Sequence, residues 1–177
     1  RERGIAWSDE AGLVALAADF PLRFEVGGED GRPRVLIAGR EVTQAIRAPE
    51  ISEGSSQVSA HPAVRASLLA IQRQLGAAGC VAEGRDLGTV VFPDAPHKFF
   101  LTASDAVRAA RRHQELAGAD YGEVLRDLVR RDERDRSRAA APLVRADDAV
   151  LVDSSDLTLD EVVQAIVGAV EARRKAG

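Results

Sequence analysis

The chain has 177 residues, 45% of them apolar and 29% charged, with a net charge of −4. That length suits one domain with a core of its own and room for a subdomain, and an acidic pI of about 5.5 excludes broad nucleic-acid binding. No apolar run approaches the ~20 residues of a membrane span, no signal peptide is expected, and Cys80 is alone, so an internal disulfide is excluded and a reducing cytosol is expected.

Aromatic residues make up 4%, so the core must rest on Val, Leu, Ile and Ala. Met is absent and the chain opens Arg1-Glu2-Arg3-Gly4; it is therefore expected to begin inside a longer protein. Gly4 reads as a helix stop. Ser8, followed by Asp9 and Glu10, predicts a capped helix to about Asp19, which Pro21 ends. Leu22 to Val26 alternates apolar and polar residues, as a half-buried strand does. Gly27 to Gly31 is turn chemistry. Arg34–Ile37 predicts a second strand, Ala38–Arg40 a turn and Glu41–Val42 a third strand, together a small antiparallel sheet. Thr43 is expected to cap a short helix through Arg47.

Pro49 to Gln57 predicts a helix, and Pro62 opens the next, since proline suits a first helical position. Val64, Leu68, Leu69, Ile71 and Leu75 form its apolar stripe, with Arg65 off it. Cys80 to Ala82 has the composition of a short buried strand. It breaks into Glu83-Gly84-Arg85-Asp86, where a glycine frees the backbone among charges. Ligand groups collect at the carboxyl ends of parallel strands. There an Arg can grip a phosphate through paired N–H bonds, and a carboxylate can accept from a base amine. The local pattern also fits a structural ion pair.

Pro93–Pro96 is a turn, Lys98–Leu101 a buried strand, and Ser104 caps a helix from Asp105 to about Ala117. Arg108, Arg111 and Arg112 lie on it. A helix from Gly122 to about Arg138 carries Arg126, Arg130, Arg131, Arg134, Arg136 and Arg138 among Asp127, Asp132, Glu133 and Asp135. Arg131, Asp135 and Arg138 share one face by their spacing. Such a run is commonly a solvated face, but arginine excludes lysine from it, which suits phosphate forks. Ala149–Asp153 is the last strand. Thr158 to Glu161 is a capping box opening a C-terminal helix with Val162, Val163, Ile166, Val167 and Val170 on its buried side. Arg173, Arg174 and Lys175 then oppose the dipole at its end. Strands alternating with helices point to an α/β fold with a parallel sheet. His61, His97, His113 and Cys80 have no metal-ligand spacing.

The run Glu83-Gly84-Arg85-Asp86-Leu87-Gly88-Thr89-Val90-Val91-Phe92-Pro93-Asp94-Ala95 resembles the Asp-Gly-Arg-Asp-Met-Gly-Thr-Val-Val-Phe-Pro-Asp-Ala signature of bacterial cytidylate kinases. Arg131 to Arg138 is similar to that family's Arg-Asp-Asp-Arg-Asp-Arg-Asn-Arg, and the likeness runs from about Leu13 to the C-terminus. It implies a P-loop kinase core, parallel-sheeted with helices on both faces. Residues 1–177 would form one domain, N-terminally incomplete, with a monophosphate-binding subdomain over 20–78 that holds the β insert and an arginine-rich lid over 118–141. The implied reaction moves the γ-phosphoryl group of ATP to CMP or dCMP, with Mg²⁺ as cofactor. By the resemblance Ser56, Arg65 and Asp86 read the base. Arg131 and Asp135 face the ribose, and Arg85, Arg131 and Arg138 serve phosphate charge as the catalytic set. Arg108 and Arg112 lie over the donor nucleotide. A cytoplasmic monomer without nucleic-acid or membrane partners is expected.

The family's Gly-x-x-x-x-Gly-Lys-Ser/Thr cradle does not occur in the 177 residues. The Mg²⁺ ligands are therefore expected outside this chain, and the chain alone is expected to be inactive. The alternatives are a non-catalytic nucleotide-binding or regulatory module and a kinase of another monophosphate.

Overall fold

The computed structural model describes residues 2–18, 20–25, 33–116 and 118–176. They pack as two compact units, Arg1–Cys80 and Val81–Gly177.

In the first unit, helix α1 (Glu10–Ala18) packs on α3 (Pro62–Gly76), burying Ala17 and Val64. The α1 cap is Asp9, whose Oδ1 accepts from Gly12 N at 3.0 Å; the expected cap was Ser8. A carboxylate one residue closer to the helix fits its first free N–H groups. Glu10 Oε1 accepts from Ala63 N at 3.2 Å and so serves the N-terminus of α3, where His61 provides no side-chain cap.

Strands β1 (Leu22–Glu25), β2 (Arg34–Ile37) and β3 (Arg40–Glu41) form an antiparallel sheet in that order. The β2–β3 hairpin turns on Ala38 and Gly39, both at positive φ, the backbone twist that two-residue hairpins need. Phe24 on β1 is exposed, so the alternation read there does not bury it. The expected turn over Gly27–Gly31, with Val26, Asp19 and Ala117, lies outside the described residues. Thr43 does not cap the 3₁₀ turn Ala45–Arg47. Its hydroxyl accepts from Val35 N at 2.9 Å and donates to Glu41 Oε1 at 3.0 Å, because the sheet edge offers both partners at once. Helix α2 (Pro49–Val58) carries Gly54, where an added Cβ would stand 2.9 Å from Trp7 Cζ2. The indole therefore lies directly on this helix.

The expected buried strand Cys80–Ala82 does not form: the segment is irregular, Cys80 is exposed and Val81 fully so. A strand exists only where a neighbouring backbone takes its hydrogen bonds, and no described residue pairs with these three. Gly79, at φ +90°, turns the chain just before the boundary of the two units.

The second unit holds the parallel pair β4 (Phe99–Thr102) and β5 (Val150–Asp153), in register from Phe99 opposite Val150 to Thr102 opposite Asp153. Helices α4 (Asp105–Glu115) and α5 (Tyr121–Ser137) pack together, burying Ala109 and Val124. Ser104 Oγ accepts from Val107 N at 3.3 Å, as expected, and Asp120 Oδ1 from Glu123 N at 2.9 Å. Ser154 Oγ donates to Thr102 O at 3.0 Å, tying the ends of β4 and β5. These parallel and antiparallel sheets with their helices make the fold α/β.

Helix α6 (Leu159–Ala176) buries Val162 but leaves Val163 and Val167 exposed, a narrower stripe than its sequence suggests. Arg173 does not cap its own helix. It donates to Pro96 O at 2.8 Å and Asp148 O at 3.2 Å, fastening α6 to the segments that enter β4 and β5. The capping box is present: Thr158 N donates to Glu161 Oε2 at 2.8 Å and Glu161 N to Thr158 Oγ1 at 3.3 Å. Thr158→Ala should cost about 1 kcal/mol, read as a lower thermal midpoint, with the α6 amides the first to lose hydrogen-exchange protection.

Candidate active site

The signature segment enters the second unit as an open loop and closes in one wide π-type turn, Leu87–Val91. Asp86 O accepts from Val90 N at 2.9 Å and Thr89 N at 3.3 Å. Gly88 faces the stem of Lys98: a Cβ there would lie 3.2 Å from Lys98 Cδ. Lys98 is itself buried, with Nζ 2.7 Å from Asp148 Oδ2 and bonded to Pro93 O. The loop is thus pinned behind Arg85 and Asp86, and Asp86 is buried.

Helix α5 carries the counterpart. Val124, Leu128 and Asp132 recur every four residues, and Asp135 falls on the same side three further on. The apolar stripe therefore runs straight into two carboxylates, and their side chains are 2% and 5% exposed. Arg85 Nη1 lies 2.8 Å from Asp132 Oδ1 and 2.7 Å from Asp135 Oδ2. Arg108, from α4, places Nη1 2.5 Å from Asp132 Oδ2 and also bonds Asp105. Arg138, just past the end of α5, has Nη1 3.4 Å from Asp135 Oδ1 and donates from Nε to Ala141 O at 2.5 Å. Arg131 Nε is buried 4.0 Å from Asp135 Oδ2, beyond hydrogen-bond reach. Arg136 approaches Asp132 at 3.8 Å.

Arg85, Arg108, Arg131 and Arg138, with Arg136 at the exposed margin, thus meet two buried carboxylates, and positive charge is in excess. Burial pushes the Asp132 pKa up, but hydrogen bonds from Arg85 and Arg108 outweigh it and hold the carboxyl below the ordinary range. Burial, then the Arg85 charge, lowers Arg131 below the usual arginine value. Burial also opposes the Arg108 charge, but its bonds to Asp132 and Asp105 raise it overall. Such a cluster can accept an anion with several oxygens at little cost in rearrangement. It is not a cation site, since guanidinium groups already occupy both carboxylates; among the described residues no group of His, Cys, Asp and Glu side chains could hold a metal.

The structure therefore brings together Arg85, Arg108, Arg131, Asp135 and Arg138. Arg112, partly exposed, pairs with Glu115 at 2.8 Å and reaches the cluster only through its charge, which adds to the lowering of Arg131. Ser56 and Arg65 lie in the first unit. Ser56 is buried on α2, its carbonyl accepting from Ser59 Oγ at 3.1 Å. Arg65, in the first turn of α3, reaches Ser59 O at 3.5 Å. Sequence reasoning passed over Asp132 as one charge among many; its place in the stripe Val124–Leu128 was the available signal. It also passed over Arg111. At the carboxyl ends of β4 and β5 a cleft of about 380 Å³ is lined by Leu101, Leu157, Leu159, Val162 and Arg111 among others. Arg111 is held there by Ser154, through Nη1 to Oγ at 3.0 Å and Nη2 to the carbonyl at 2.7 Å.

A sequence model of the family described as cytidylate kinase matches residues 1–172. The chain belongs to the cytidylate kinase family. Among its curated relatives, the cytidylate kinase of Saccharophagus degradans is 49% identical over 98% of this chain and 79% of its own length. That of Chromobacterium violaceum is 44% identical over 100% and 79%, and that of Corynebacterium glutamicum 47% identical over 96% and 76%. No helix among the described residues is long and apolar enough to cross a membrane.

The Asp132 shift makes stability pH-dependent. Its folded pKa is depressed, so the stabilisation is fully present above the unfolded value near pH 4 and is lost as pH falls through the folded pKa. Denaturant unfolding of the wild type from pH 6 to pH 2.5 should show that loss, and the same series on Asp132→Asn should start lower and fall less.

Proposed function

We propose that this chain supplies the acceptor and lid parts of an enzyme that transfers the γ-phosphoryl group of ATP to CMP or dCMP, giving ADP and CDP or dCDP. Within the family, the observation that supports this most directly is the cluster of Arg85, Arg108, Arg131 and Arg138 on the buried carboxylates of Asp132 and Asp135. Phosphoryl transfer asks little covalent chemistry of a protein; it asks for positioning and for charge that meets the transferred group. Arg85, Arg131 and Arg138 serve the phosphates, and Arg131 with Asp135 faces the ribose. Residues 118–141 act as the lid and 20–78 as the monophosphate-binding subdomain. ATP is the donor, with Arg108 and Arg112 the donor contacts that the resemblance suggests. Mg²⁺ would neutralise donor phosphate charge, held by groups other than the carboxylates of this cluster. The enzyme works as a cytoplasmic monomer.

Asp86, Ser56 and Arg65 read cytosine, an assignment carried by the motif match and by base chemistry. Cytosine offers an amine donor beside two acceptors. A carboxylate takes the amine hydrogen and an arginine gives to the acceptors, whereas uracil would turn a carbonyl oxygen toward the carboxylate. A site built this way discriminates because the wrong base leaves polar groups unpaired, at about 1–3 kcal/mol for each buried one. Asp86→Ala should weaken CMP binding roughly tenfold or more and narrow the preference for CMP over UMP in calorimetric titrations. An unchanged ratio in a folded variant would make Asp86 structural.

A second reading, a nucleotide-binding module without turnover, is favoured for these residues taken alone. The lysines are Lys98 and Lys175, and neither lies in a glycine-rich phosphate cradle. The 177-residue chain should show no ATP-dependent phosphorylation of CMP in a coupled assay. Turnover near 1 s⁻¹, about the low end for kinases, would show that these residues hold the donor phosphates after all.

A further inference from the structure

Asp132 has the most buried charged side chain among the described residues, and its two oxygens serve two different parts of the chain. Oδ1 takes Arg85 of the signature loop at 2.8 Å, and Oδ2 takes Arg108 of α4 at 2.5 Å. One carboxylate therefore fixes the spacing of two guanidinium groups that would otherwise repel. Asp135 shares the same Arg85 Nη1, but its other oxygen lies toward Arg138, and the ribose is its task under the phosphate-transfer reading. Asp132, by contrast, divides its two oxygens between Arg85 and Arg108.

Resting on that reading, we propose that Asp132 is a positioning residue, which holds Arg85 and Arg108 as a fixed pair so that Arg85 meets the phosphate of a bound monophosphate already oriented. Both Asp132 and Asp135 bind Arg85 through Nη1, which fixes the direction of the rest of the fork. Arg85 is 31% exposed, so it is anchored on the inside and open on the outside. Burial opposes the charge of the Asp132 carboxyl, and the bonds from Arg85 and Arg108 outweigh it, so the group serves as a steady counter-charge to both guanidinium groups. Anchoring of this kind spares the ordering cost that a mobile arginine would incur on binding.

The test is titration of the 177-residue chain with CMP and with cytidine, the latter by displacement at millimolar concentration, in wild type, Asp132→Asn and Asp132→Glu. The quantity read is the ratio of CMP to cytidine affinity, which isolates the phosphate. Asp132→Asn leaves one acceptor oxygen for two guanidinium groups and turns an NH₂ donor toward the other, and Asp132→Glu keeps the charge but displaces both guanidinium groups by one methylene. The ratio should fall about tenfold in Asp132→Asn and severalfold in Asp132→Glu, with cytidine affinity within twofold of wild type. Asp132→Glu carries the measurement if Asp132→Asn does not fold. An unchanged ratio, or equal loss of both ligands, would overturn the positioning role and leave the phosphate-transfer reading standing. A folded wild type that binds CMP no better than cytidine would overturn the phosphate reading and the positioning role with it.

Discussion

Two carboxylates on one helix, Asp132 and Asp135, are taken out of water and kept charged by arginines from the signature loop, from α4 and from the end of α5. Neither half of this arrangement stands without the other. A buried carboxylate loses several kcal/mol of hydration that only close, well-aligned cations return. Four arginines gathered without those anions would push apart. Removing one partner from a buried pair of this kind costs about 3–5 kcal/mol. The network thus ties together three segments of the second unit beside its small apolar core, where Val91 and Ala109 are the most completely covered apolar side chains among the described residues.

The scaffold around the cluster has one repeated device: side chains that reach a carbonyl or carboxylate on the next element. Lys98 holds Asp148 and Pro93, and its stem covers Gly88. Arg111 holds Ser154, Ser154 holds Thr102, and Arg173 holds Pro96 and Asp148. These bonds fix both ends of the parallel pair β4–β5, and with them the direction in which the signature loop approaches β4. Large aromatic groups contribute little, in line with their scarcity in the sequence. Long cationic side chains replace them as spacers, with apolar stems inside and charged heads on fixed acceptors.

Under the proposed function, an arginine cluster partly neutralised by carboxylates is a pre-formed phosphate site at partial cost. The carboxylates weaken attraction for any anion, and in exchange the guanidinium groups do not have to be collected when the anion arrives. Phosphoryl transfer rewards that exchange, because its transition state spreads charge over fixed directions and gains most from donors that need not reorganise. Only interactions stronger at that point than in the resting complex speed the reaction. Under the proposed function, the pairing of Asp132 and Asp135 with Arg85 is how the empty site keeps its shape.

What the sequence by itself determined is what depends on neighbours along the chain. Helix starts at Pro49, Pro62, Asp105 and Leu159 follow from proline and from the caps at Ser104 and Thr158, and the hairpin at Ala38-Gly39 from its turn chemistry. The signature run determined the family. What only the tertiary structure decided depends on groups far apart in sequence. Cys80–Ala82 has a strand's composition and no strand's partner, so it stays irregular. Thr43 gives up a cap for a sheet edge, and Arg173 leaves its own helix for two distant carbonyls. Arg108 and Arg112, one helical turn apart, part company, one into the buried cluster and the other onto Glu115. Asp132 reads as one charge among many until Arg85, 47 positions away, arrives beside it. Backbone geometry and capping act over a few residues and are written locally, whereas the energy of a buried charge is set by whichever groups the fold brings within about 3 Å.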